Sequence, residues 1–395
     1  MRKFIKVSLI ITVLFISVFS IYGIYDPSQE NSNQDEYNIL SDENTTVEEN
    51  VNPIEYKAKI TQNISIDKSE EDGYKYQKVK VKIISDSEYK DQEYDAKFIL
   101  QVLDSSESKV LNVGTTVYVI LDNPLSTTKQ FIVKDVDRMP YLTIVLIIFI
   151  ATIILIGKKQ GVKTVISLAI TFFAVFYMLV PLILNGHDAI LMSVLICIFI
   201  SVTSLTLVGG FNRKSLVSII GTVSGVLISA IIAIIISSLA RITGLSNEDA
   251  QMLIYVSSGT SIDVYGLFFA SIIIGTVGAT MDIAMSISST MNELTKTSNK
   301  ISTKELIKSG LNVGKDSMGT MSNTLILAYV GESLILIILF MLNDSNWVSI
   351  VNSDFIASEI LRGLCGTIGM IATIPVTTYL YGLIHNFYQN KNKIM

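Results

Sequence analysis

Residues 271–294 read SIIIGTVGATMDIAMSISSTMNEL; after a basic linker, residues 314–332 read GKDSMGTMSNTLILAYVGE. On a helix, Ser271, Gly275, Ala279, Asp282, Ser286 and Ser289 recur at three- and four-residue steps. They form one small, polar stripe against a face of Ile and Met. Both segments are long enough to cross a bilayer, where a carboxylate is costly and marks a functional position by default. Small residues let helices approach closely, so the stripe is expected to face protein or water and not lipid.

The composition around this stretch is that of a membrane protein. Of 395 residues, 50% are hydrophobic and only 16% charged, with mean hydropathy +0.51. Several runs exceed the ~18 apolar residues that indicate a spanning helix. The net charge of −5 says little about partners, because acids crowd the N-terminal third and bases crowd short loops. No feature suggests a nucleic-acid partner. Cys197 and Cys365 both lie in apolar runs, so no disulfide framework is implied.

Taken in order, residues 1–25 hold Arg2, Lys3 and Lys6 and then an apolar run over 7–24. This reads as a retained membrane anchor, with a cleaved signal as the alternative. Residues 26–53 contain no Lys or Arg and few long apolar side chains; they are expected to be a disordered acidic linker. Residues 54–138 change character. The phrases KAKITQNISI, YQKVKVKII, DAKFILQVL, TTVYVIL and KQFIVKDV alternate in the β manner, with Gly73, Gly114 and Asn123-Pro124 as turns. A small all-β domain of five or six strands follows, an OB-like barrel or a sandwich. Residues 109–119 resemble a strand–turn–strand unit of OB-like barrels.

Seven further apolar segments lie at about 140–156, 164–184, 189–208, 215–239, 264–288, 321–342 and 359–384. With the first, they give about eight spans: an α-helical polytopic membrane protein with an N-terminal extracytoplasmic β domain. The core is expected over 139–388, with a cytoplasmic tail at 389–395. Loops at Lys158, Arg213, Lys296 and Lys391 are basic; those at 185–188 and 343–354 carry no base, and Arg362 lies at the outer end of the last span. The positive-inside rule therefore puts both termini in the cytoplasm and residues 26–138 outside; the richness in Ile, Lys and Asn suggests an AT-biased bacterial genome, and with it a bacterial cytoplasmic membrane. Trp347, Tyr379 and Tyr381 are expected near the interfaces. Ser246 is expected to cap a short helix, and the Ser302–Glu305 capping box to open a short cytoplasmic helix toward Val313.

Glu332 falls near the middle of its predicted span and Asp282 late in its own. Gly275, Gly278, Asp282, Ser286, Asn323, Thr324, Glu332 and Pro375 are the candidate transport pathway, Pro375 because a proline frees a carbonyl and kinks a helix. The alternative for the acids is structural: Asp282 capping or snorkelling, and Glu332 neutral and hydrogen-bonded to Asn323 or a hydroxyl. GTVG at 275–278 recurs as GTIG at 366–369, which close helix packing explains better than an internal repeat. His187 and His385 have no partners at metal spacing, and no Walker A, HExxH, GxSxG or CxxC pattern occurs. No cofactor, metal or catalytic residue is expected.

GTVGATMDIAMSISSTMNEL (275–294) followed by GKDSMGTMSNTLILAYVGESL (314–334) resembles the YibE/F-like family of bacterial multipass membrane proteins. The order of parts agrees: anchor, extracytoplasmic β segment, then membrane core. The resemblance implies architecture and membrane location and carries no particular activity.

The leading function from the sequence is a secondary transporter or permease acting on an ion or small molecule. The rival is a non-transporting envelope protein whose β domain binds a partner or cell-wall component. An enzyme is the weakest class, since no nucleophile–base pairing is visible. The topology predicts that cysteines placed at 185–188 or at Asn346 react with an impermeant thiol reagent in intact cells, whereas cysteines at Lys158 or Lys300 stay unlabelled; the reverse pattern overturns it.

Overall fold

The computed structural model describes residues 54–68, 75–100, 110–122, 129–245, 248–256, 262–298, 301–342 and 346–394. The expected anchor over 7–24 and linker over 26–53 lie outside them, as do Gly73, Asn123, Pro124 and Ser246. The chain divides into two compact units, one ending at Thr152 and the other running from Ile153.

The first unit contains a closed barrel of five strands: β1 (Glu55–Lys68), β2 (Lys75–Ile83), β3 (Glu93–Leu100), β4 (Thr116–Leu121) and β5 (Phe131–Val136), in the order β1-β2-β3-β5-β4. All neighbours are antiparallel except β3 and β5. The barrel, not the sandwich, is therefore the outcome. Register shifts in β1 at Ile60/Gln62 and Asn63/Ser65 let a long strand bend around the closure. Alternation fills the interior with Ala58, Ile60, Val79, Val81, Val117 and Val119, all at most 1% exposed. Tyr56, Tyr89, Tyr94 and Phe131 pack with edge-to-face and tilted rings over the same core.

The expected strand–turn–strand over 109–119 is only half formed. Residues 110–113 are irregular, Gly114 turns at φ +94, and β4 starts at Thr116. The buried Gln77 takes the place of a missing strand partner. Its amide donates to the Leu111 carbonyl at 2.8 Å and accepts from the Leu111 N–H at 2.8 Å. At the barrel's exit, Lys57 pairs with the buried Asp137 at 2.7 Å. That hydrogen bond holds the Asp137 carboxyl below its ordinary range and raises the Lys57 ammonium.

The helices are α1 (Met139–Phe173), a π-helical segment (Ala174–Leu179), α2 (Val180–Leu184), α3 (Ala189–Gly209), α4 (Arg213–Ala240), α5 (Glu248–Val256), α6 (Val264–Thr297), α7 (Thr303–Glu332), α8 (Leu334–Leu342), α9 (Trp347–Asn352) and α10 (Asp354–Ile394). Among the described residues, five helices are long and apolar enough to cross a membrane, or six if the α7–α8 pair, bent by 56°, is one span. The two spans expected over 140–156 and 164–184 fall in one such candidate, Met139–Leu184, which leaves helical geometry at Lys158 (φ 48, ψ −125). Pro181 explains the wide turn ahead of it: it has no N–H to offer, and the Val180 N–H bonds the Val175 carbonyl five residues back.

Polar residues mark the helix ends as caps. Asp188, Asn212, Asp263 and Ser302 each accept a backbone N–H at the start of a helix, and Ser302 completes the capping box with Glu305. That helix does not stop near Val313 but continues to Glu332. Gly314 is not a break: a Cβ there would lie 2.2 Å from Ile374, so it is a point of close contact with α10.

The centre of the second unit is α4, α6 and α10. A Cβ on Gly225 would lie 2.6 Å from the Gly369 carbonyl oxygen, and one on Gly369 would lie 2.6 Å from the Gly225 oxygen. The 366–369 motif is thus a packing device, as expected. Between α4 and α6, Ser218 meets Ser288 at 2.5 Å and the Ala284 carbonyl at 3.2 Å, and Ser229 meets Thr276 at 3.2 Å. Tyr381, expected at an interface, is 5% exposed and packs in this core. Gly225→Ala is expected to lower the thermal midpoint of the purified protein by the equivalent of about 1–3 kcal/mol, the cost of overpacking against backbone. Gly319, with nothing within 4 Å of a Cβ, provides the control: Gly319→Ala should leave the midpoint unchanged or slightly raised, and equal losses in both variants refute the packing account.

Candidate functional site

The α6 stripe is present, and most of it lies away from the neighbouring helices of the chain. Thr276, Thr280, Ala284 and Ser288 are buried against the neighbouring helices. Gly275, Gly278, Asp282 and Ser286 lie on the open side of the single chain. Two causes combine. The inner face also carries Ile272, Ile273, Ile283, Ile287 and Met291, which burial favours. Threonine hydroxyls can be buried beside them because they bond back to carbonyls on their own helix, as Thr280 does to Thr276 at 3.0 Å.

Asp282 stands mid-helix and not near an end, because α6 runs on to Thr297. It makes no hydrogen bond or ion pair with another described residue. Asn323 and Thr324 are also on the open side of their helix, with the Thr324 hydroxyl bonded back to Thr320 at 2.9 Å. Pro375 is exposed, and α10 continues through it as one helix. The break expected at Pro375 is therefore found elsewhere, at Ser333, where α7 gives way to α8.

Glu332 is the last residue of α7, at this bend. It lies near enough for its charge to act on Tyr329 and Glu359. Tyr329 in turn crosses α6, its hydroxyl 2.8 Å from where a Gly275 Cβ would stand. Asp282 is two turns further along α6 in one direction and Glu332 one turn along α7 in the other. At 1.5 Å rise per residue the two acids are separated by roughly 15 Å along the bundle. They occupy two levels and do not form one site.

The level of Glu332 holds a pair that sequence reasoning missed. Arg362 Nη1 lies 3.2 Å from Glu359 Oε1, one turn apart on α10, with side chains only 21% and 14% exposed. Arg362 is not at the helix end, because α10 starts at Asp354, held to the far side of the α4 turn by bonds from Thr243 at 3.1 and 2.8 Å. The guanidinium also sits 5.8 Å from the Phe268 ring. The missed signal was an acid and a base three residues apart inside an apolar run.

Glu359 separates two cavities. One, of about 230 Å³, is lined by Asp249, Phe268, Ser271, Ser358, Glu359 and Arg362 among others. The other, of about 150 Å³, is lined mainly by aliphatic side chains with Tyr329, Ser333 and Glu359. Buried Glu359 Oε2, Arg362 Nε and Ser333 Oγ have no hydrogen-bond partner among the described residues. Gly244 closes the first cavity's edge: its φ is +69 and a Cβ would strike Phe268 at 2.7 Å. No three His, Cys, Asp or Glu come together as metal ligands among the described residues.

Residues 145–386 match the family model described as YibE/F-like protein. The chain belongs to the YibE/F-like family. No curated protein and no solved structure matches it. The family match spans every helix that carries the features above except the last residues of α10.

Removing one member of the Glu359–Arg362 pair strands the other's charge. Arg362→Leu is expected to destabilise by about 3–5 kcal/mol, and Arg362→Leu with Glu359→Leu to recover most of it. Thermal unfolding in detergent measures both; a double variant no better than the single one refutes the pairing.

Proposed function

We propose that this YibE/F-like protein is a multipass secondary transporter or permease of the bacterial cytoplasmic membrane. In this reading the expected anchor over 7–24, the two halves of Met139–Leu184, α3, α4, α6, the bent α7–α8 pair and α10 make eight spans. Both termini are cytoplasmic and the barrel is outside.

One observation carries the reading. Glu332 stands at a break between two apolar helices, beside a Glu359–Arg362 pair whose unpartnered polar atoms adjoin two cavities. Anchoring needs none of this, and intramembrane charge with unmet hydrogen bonds is expensive unless it serves a ligand or ion. Broken helices expose backbone groups where substrates bind. The open stripe of Gly275, Gly278, Asp282 and Ser286 and the polar groups Asn323 and Thr324 supply a second, deeper level. In a bilayer that level requires water or a covering partner, since lipid offers no hydrogen bonds. Glu332 and Glu359 are the groups assigned to cation or proton coupling, Arg362 to holding Glu359 in place.

The barrel supports a second reading, an envelope protein that binds a partner outside the cell. Ile64, Ile66 and Ile99 remain exposed, at 47%, 53% and 44%, on the strands that flank β2, and such side chains are used at interfaces. Eight spans with internal charges are more than that role requires.

Flux in proteoliposomes, screened across ions and small solutes with and without a proton gradient, separates the readings. Glu332→Gln keeps size and hydrogen bonding but loses the titratable charge. It is expected to reduce coupled flux at least tenfold while leaving the thermal midpoint near that of the unmodified protein. Intact flux in Glu332→Gln, Glu359→Gln and Asp282→Asn together rules out carboxylate coupling and returns these residues to packing roles.

A further inference from the structure

At the other end of the bundle from Glu359 lies a larger cavity, of about 450 Å³. It is lined by the start of α4, the end of α6 and the end of α10, with Arg213 and Lys296 as its charged side chains and His385 beside them. Lys214 adjoins Arg213 in the chain. Glu293, next to Asn292 of the lining, is already paired with Lys296 at 2.8 Å. His385 is bonded to Gln389 at 2.9 Å. The Tyr381 hydroxyl and Asn292 meet at 3.3 Å on the cavity wall.

Arg213 is the group without an assigned role. Its guanidinium carbon lies 3.2 Å from the centroid of the Tyr388 ring. Stacking uses the flat face of the guanidinium and leaves its N–H donors free in the plane. No carboxylate or carbonyl among the described residues accepts from them. A planar fork of donors, pre-oriented by an aromatic ring and backed by further positive charge, matches the tetrahedral oxygens of a phosphate.

We propose that this cavity binds a phosphate group, with Arg213 as its main ligand, Tyr388 fixing the guanidinium, and Lys296 and His385 also in the lining. The phosphate has two sources with the same chemistry, the headgroup of an anionic phospholipid or a soluble phosphate compound. Leu383 and Phe387, 66% and 68% exposed on α10 beside the cavity, give acyl chains an apolar surface and suit the lipid.

The test uses the full-length protein, delipidated in detergent. Native mass spectrometry reads retention of phosphatidylglycerol against phosphatidylcholine. Thermal unfolding reads the response to inorganic phosphate against chloride at matched ionic strength. The expected result is one phosphatidylglycerol retained at least tenfold better than phosphatidylcholine, with the preference lost in Arg213→Gln. A saturable midpoint rise with phosphate, also lost in Arg213→Gln, supports the same site with the soluble source. Tyr388→Leu keeps the charge and removes the stack, so it serves if Arg213→Gln fails to fold, and a loss of at least several-fold is expected. Equal retention of both lipids with no phosphate-specific rise overturns the proposal. So does binding that is unchanged in Tyr388→Leu and in folded Arg213→Gln.

Discussion

Two backbones meet at the centre of the helical unit. Gly225 and Gly369 leave each other's carbonyl oxygens no room for a Cβ, and Gly221 stands against Thr377 in the same seam. Such proximity gains dispersion contacts along both helices and needs no apolar side chain to fill the gap. It also determines what α6 can do. With α4 and α10 drawn together, α6 presents hydroxyls to α4: Thr276 to Ser229 and Ser288 to Ser218. The face of α6 that carries Asp282 is thereby turned out of the bundle.

The polar residues of this apolar unit include two groups that differ in setting. Thr203, Thr276, Thr280 and Thr373 are buried but satisfied, each by a carbonyl one turn back on its own helix. They cost little and bring the helices close. Glu359, Arg362 and Ser333 are buried with atoms left unpartnered, and they gather where α7 breaks. A bundle that required only cohesion would have aliphatic side chains there. Ser193, Ser204, Thr377 and Thr378 are also buried without a partner, so what sets this place apart is the charge of Glu359 and Arg362 beside a cavity.

The barrel uses the same accounting differently. Its interior is filled by alternation, but the segment before β4 has no strand to pair with. Gln77 supplies both a donor and an acceptor to Leu111 from inside the core. A buried amide with both ends bonded is tolerated, whereas an unpaired one costs a few kcal/mol. Hence Gln77 sits among valines without breaking the pattern that formed the strand.

The elements themselves were legible in the sequence. Alternation, apolar run length and capping residues are local properties, and they placed the five strands, the long helices and the Ser302 cap close to where they stand. The family resemblance, carried by residues 275–334, was legible for the same reason. Facing was not. Which side of α6 is buried depends on Gly225 and Gly369, far away in the chain, and on the demand that buried aliphatics and buried threonines share one face. The candidate acids Glu332 and Asp282 were visible as charges in apolar runs, but only packing showed that they lie on separate levels. Only packing, too, brought Tyr329 and the Glu359–Arg362 pair to the first of them. Arg213 and Tyr388 lie 175 residues apart in the chain, and no spacing rule links them. Their contact exists because α4 begins where α10 ends, a consequence of the seam that runs between those two helices.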